Sequence, residues 1–171
     1  LCDGAALEAL KLISKWLKVA FDEPRNINAR GGMLIGSCLA GVAFTKGLGL
    51  VHSISHMVGA EYNTQHGLTN AIILPAVMKF NLPHVGEKVS SISHAMELKD
   101  ASPDFINEEI EKILDYLNIP RSLSEIGVPL ECKRRIAKKA MLDSATGTNP
   151  RVATIQDVEE LTEISILSAR K

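Results

Sequence analysis

Three observations predict an all-helical chain, organised as one bundle-like domain over residues 1–171. Apolar residues recur at spacings of three and four in segment after segment, which is the period of a helix with one buried face. No stretch of useful length alternates apolar and polar residues, as a half-buried strand would. Aromatic residues make up only 4% of the chain, so its core must be built from Leu, Ile, Val, Ala and Met. With 171 residues, 46% of them hydrophobic and 23% charged, the chain is long enough for an ordinary folded domain.

The elements follow in order. Ala5 to Ala20 carries Leu7, Leu10, Ile13, Leu17 and Ala20 on one face, and Asp22-Glu23-Pro24 ends this amphipathic helix. Asn26-Ile27-Asn28 starts a second helix, running to about Thr45. Gly32, Gly36 and Ala40 recur along one of its sides, and small residues at that period let another helix approach closely. Cys38 lies in the same run, where a buried thiol is expected. The longest apolar run, Met33 to Phe44, is too short to span a bilayer. Past the segment from Gly47 to Gly67, LTNAIILPAVMKFN reads as a buried helix that Pro75 should kink near Ala71. A short helix follows Pro83, with His84 and His94 expected to be exposed or semi-exposed and not ligands. Ser102-Pro103-Asp104 opens a further helix striped by Phe105, Ile106, Ile110, Ile113, Leu114 and Leu117. Ser122 to Pro129 is a connector. The basic helix from Glu131 to Leu142 is read as a solvated face, and Ile155 to Leu167 is the last helix.

Net charge and cysteines narrow the function. A formal net charge of -1 offers no field for steering nucleic acid or an anionic membrane, so neither partner is expected. Cys2, Cys38 and Cys132 form no C-x-x-C pair, and a reducing, cytoplasmic setting is expected. The opening LCDGAALEAL carries no basic-then-apolar layout and reads as the middle of a longer protein.

The chemistry concentrates in GLGLVHSISHMVGAEYNTQHG, Gly47 to Gly67, which holds His52, His56 and His66. His52 and His56 are four residues apart and share one helix face, about 6 Å apart along the axis. Gly59 marks where this helix is expected to stop. The polar run Glu61 to Gln65 lets the chain reverse, so that His66 can return to the face carrying His52. Two readings stand at this point: a divalent metal held by imidazoles, with Glu61 as a further candidate ligand, or hydrogen-bonded groove histidines without metal.

The same residues resemble the C-terminal signature of the iron-containing (group III) alcohol dehydrogenases, G-x-x-H-x-x-A-H-x-x-G-x-x-x-x-x-P-H-G. Gly49, His52, His56, Gly59, His66 and Gly67 match it, while Ser55 and Gln65 replace an Ala and a Pro. The connector S-L-x-E-x-G-V-P and the Thr-Asn-Pro-Arg ending at Arg151 are similar to the family as well. This resemblance implies the helical C-terminal domain of the dehydroquinate synthase-like, iron alcohol dehydrogenase fold. It implies His52 and His66 as ligands of Fe2+ or Zn2+, and His56 as a catalytic proton-transfer group beside the nicotinamide of NAD(P). The implied partners are a small alcohol or aldehyde and, for the subunit, further copies of itself in a homo-oligomer.

Family members complete their metal site with an Asp and a His on an upstream helix, and bind NAD(P) in an N-terminal domain. Asp3 does not match that helix and no His precedes His52, so these parts are expected to be missing here and the metal weakly held or absent. Loss of the upstream helix is also expected to bare an apolar groove around Ile54, Met57 and Val58 and to drive self-association. The alternative is a stand-alone helical interaction module with vestigial histidines.

Overall fold

The computed structural model describes residues 1–170. Eight α-helices and five short 3-10 turns account for its regular structure, with no strand among the described residues. The chain is all-α. Its contacts fall into two compact units, Leu1–Gly47 with Gly86–Glu109 and Leu48–Val85 with the chain from Ile110 onward. The final residue of the span read as one domain, Lys171, lies outside the described residues.

The first unit is built on α1 (Cys2–Asp22) and α2 (Ile27–Ala43), with α5 (Lys88–Ala95) against α1. Asn26 caps α2, its side chain accepting the Ala29 N–H. The small-residue side of α2 is a packing face: Gly36 lies on Ile13, and a Cβ at Gly32 would come within 2.1 Å of the Trp16 ring. The opposite side of α2 bears Ile27, Leu34, Ile35 and Val42, all exposed. Cys38 is exposed too, contrary to the expectation of a buried thiol, because it turns away from the Gly32–Gly36 contact. The run Met33 to Phe44 belongs to a longer helical stretch, Ile27–Lys46, whose 20 residues have the length and composition of a membrane span, though Arg30 interrupts it. Asp3 pairs with Lys46 and Lys88 and ties the start of α1 to the rest of the unit.

The second unit holds α3 (Leu50–Tyr62), α4 (His66–Asn81), α7 (Lys133–Ala140) and α8 (Ile155–Leu167). Its core joins Leu50, Ile54 and Val58 of α3 to Ile72, Ile73 and Val77 of α4, Ile136 and Ala140 of α7, and Val158 and Leu161 of α8. Ile54 and Val58 are fully buried, which corrects the expectation of an open groove there. The cause is helical geometry: Ile54 lies two residues, about 200° of turn, from both His52 and His56, and Val58 lies two from His56, so both face away from the histidines. α4 continues through the buried Pro75 to Asn81. α8 begins with a capping box between Thr154 and Asp157. α6 (Pro103–Tyr116) belongs to the first unit up to Glu109 and to the second from Ile110, and carries the apolar stripe read from its period, with Ile106 and Leu114 buried.

Candidate metal and proton-transfer site

The turn between α3 and α4 brings the three histidines together. α3 does not stop at Gly59 as expected; it runs one turn further, and Asn63 ends it in the left-handed region at φ 51°. Asn tolerates that conformation, so no glycine is needed. The Asn63 N–H closes on the Gly59 carbonyl. Two residues later the Gln65 side chain accepts the Leu68 N–H, starting α4 with His66 as its first residue. Thr69 locks the turn, its Oγ1 lying 2.7 Å from Thr64 Oγ1 and 2.9 Å from the Gln65 carbonyl.

His52, His56 and His66 form a triangle of rings, with centroids 5.8 Å, 5.4 Å and 5.5 Å apart. His56 Nδ1 lies 2.9 Å from Asp143 Oδ2. A carboxylate can only accept, so Nδ1 carries the hydrogen and Nε2 is the open nitrogen of neutral His56. The Asn70 amide lies against the other two rings: its Nδ2 donates to His66 Nε2 at 3.0 Å and to His52 Nε2 at 3.4 Å. Both Nε2 lone pairs thus converge on one electropositive group. Asn70 Oδ1 is buried with no hydrogen-bond partner among the described residues.

Electrostatics favour neutral His52. Burial pushes its pKa down, and the neighbouring His66 and His56 rings add to the effect, against a weaker opposing pull from Asp143. For Asp143, burial alone would raise the pKa. The Ala145 N–H and His56 outweigh it and hold the carboxyl below its ordinary value.

His52, His56 and His66 share one site. Glu61 does not join them: Arg135 at 2.9 Å and Lys139 at 2.7 Å occupy its carboxylate, and these two cations depress its pKa. His84 and His94 are exposed, as read. Among the described residues no group of three or more His, Cys, Asp or Glu side chains is arranged to hold a metal ion, and His52 and His66 both face Asn70 Nδ2. Two contributors escaped the sequence reading. Asn70 had a local signal, lying four residues after His66 and therefore on its face. Asp143 had none, being 87 residues from His56.

The C-terminal model of the Fe-containing alcohol dehydrogenase family matches residues 1–166. An NAD-dependent methanol dehydrogenase from Bacillus methanolicus is 39% identical over 93% of this chain, and a lactaldehyde reductase from Escherichia coli K12 is 37% identical over 94%. This chain spans 44% of the length of either relative. The solved structure of a 1,3-propanediol oxidoreductase superposes with a TM-score of 0.91 at 31% identity, covering 96% of this chain and 45% of that one. An alcohol dehydrogenase from Oenococcus oeni gives 0.88 at 28% identity, covering 95% of this chain and 44% of that one. With the family model matched over residues 1–166 and relatives this similar, the chain belongs to the Fe-containing alcohol dehydrogenase family, as its C-terminal helical region.

Proposed function

We propose that this chain is the metal-holding part of an NAD(P)-dependent oxidoreductase that interconverts a small alcohol and its aldehyde or ketone. The observation that carries the reading is that His52 and His66 turn their Nε2 lone pairs to one point, which the Asn70 Nδ2 group holds, with the His56–Asp143 pair beside them. Two neutral imidazoles suit Fe2+ or Zn2+, and a complete coordination set needs donors beyond these two. When bound, the ion supplies Lewis-acid polarisation of an alcohol oxygen, which favours loss of the hydroxyl proton and hydride transfer to the nicotinamide.

The chain's own residues do the rest. His52 and His66 would hold the ion through Nε2, the ion taking the place of the Asn70 Nδ2 group that both nitrogens face. Asp143 holds His56 by Nδ1, leaving Nε2 to take up and pass on the hydroxyl proton. Burial around His52 keeps that ring in the neutral, electron-donating form. A homo-oligomer and a soluble, cytoplasmic setting accompany this reading.

The test is metal analysis and alcohol oxidation in a complete oxidoreductase carrying this region. His52→Ala and His66→Ala should each lose metal and activity together. His56→Ala should retain metal while its rate falls. Metal lost from the His56 variant but kept by the His66 variant would overturn the division of roles.

A further inference from the structure

The segment after α7 touches the histidine helix at two places. Asp143 holds His56, and six residues on, Asn149 meets the start of α3. The helix begins at Leu50 with Gly49 as its N-cap, and Gly49 has no side chain to offer the free N–H groups of the first turn. Asn149 Oδ1 accepts the Leu50 N–H at 3.2 Å from 99 residues away. Gly49 leaves room for this: a Cβ there would stand 3.0 Å from the same oxygen.

Asn149 is itself fully held. Its Oδ1 also accepts from Asn81 Nδ2 at 3.0 Å, while its Nδ2 donates to Asn81 Oδ1 at 2.8 Å and to the Arg151 carbonyl at 2.7 Å. Both acceptor positions and both donors of the amide are used, so its orientation is determined. Asn81 is the last residue of α4, the helix that begins with His66. Arg151 adds a second attachment there, its guanidinium 3.7 Å from the centre of the Phe80 ring. One side chain therefore joins the first turn of the helix bearing His52 to the far end of the helix bearing His66.

We infer that Asn149 is a positioning residue for the site: it acts as a remote N-cap of α3, holding the first turn wound so that His52 meets His66 and Asn70. His52 is the third residue of α3, within the turn that unwinds first when a cap is lost. The inference rests on the proposed role of His52, but its test reads backbone and ring geometry without metal or substrate. A failed activity assay and a failed cap are therefore separate results.

The test compares three forms of the full chain by amide hydrogen exchange and by the nuclear Overhauser contact between the His52 and His66 rings: native, Asn149→Ala, and Asn149→Ala with Gly49→Ser. Asn149→Ala should speed exchange at Leu50, His52 and Ser53 by about fivefold to thirtyfold relative to α7, and weaken the ring contact. In the double variant the serine hydroxyl can cap α3 locally, in space the asparagine has vacated. Exchange should return to within about twofold of native, and the ring contact should return with it. Unchanged exchange in Asn149→Ala overturns the inference. So does failure of Gly49→Ser to restore it, because a residue that merely packs against Asn81 and Arg151 would not be replaced by a serine at position 49. Should Asn149→Ala fail to fold, recovery of folding in the double variant supports the cap, and continued failure overturns it.

Discussion

The α1–α2 pair and the α3–α4 pair solve helix packing in different ways. In the first, the contact is made by absence: Gly32 and Gly36 carry no side chain, and Trp16 and Ile13 fill the space. In the second, α3 buries a full apolar stripe and leaves its other face to His52 and His56, which side chains from distant segments then fix. A glycine contact needs only two neighbouring helices and is sensitive to a single methyl group. The histidine face depends instead on polar partners far away in sequence.

The largest expected effect breaks the polar side of this contrast. In a complete oxidoreductase, His56→Ala should lower the rate by about 10²–10⁴-fold with metal retained, as for a lost general acid–base group. Asp143→Asn should lower it less, since an amide can still accept the Nδ1 hydrogen bond but cannot stabilise a charged ring. A His56 variant with native turnover would sink the relay assignment.

Next comes the steric side. Gly32→Val should destabilise the chain by about 1–3 kcal/mol in denaturant unfolding, because the Trp16 ring stands where its Cβ must go. Gly31→Ala, one position earlier in the same helix with nothing within 4 Å of the new Cβ, should instead stabilise by about 0.4–1 kcal/mol. Equal effects from the two would mean that helix propensity, and not close approach, explains the glycines.

The smallest effect concerns Glu61. Arg135 and Lys139 hold its pKa below the ordinary value of 4.5. Its contribution is therefore full above that value and is lost as pH falls through the lower, folded-state pKa. Both cations are about half exposed, which limits the contribution to roughly 1 kcal/mol or less. Unfolding midpoints of native protein and Glu61→Gln should thus converge on acidification from neutral pH. A difference that widens below pH 4 would contradict this.

Much of the molecule was legible along the chain. Apolar periods located the helices, Asn26 and Ser102-Pro103 marked two of their starts, and Gly32 and Gly36 marked the smooth side of α2. The site was half legible. His52 and His56 are linked by helix geometry, and His66 follows one turn of chain later. The misreadings have physical causes. Placing Ile54 and Val58 beside the histidines overlooked that residues two apart point to opposite sides of a helix. Expecting the helix to end at Gly59 overlooked that Asn63 can adopt the same left-handed cap.

The sequence by itself determined local properties: where the backbone winds, which faces are apolar, and that three imidazoles lie within one short segment. Those follow from interactions over three or four residues, which the order of residues displays directly. Only the tertiary structure decided what surrounds the imidazoles. Asp143 reaches His56 across 87 residues and Asn149 reaches Leu50 across 99, and two cations from α7 take Glu61 out of the ligand set. Such partners are chosen by how helices pack, and a hydrogen bond between distant segments leaves no periodic trace in the chain that makes it.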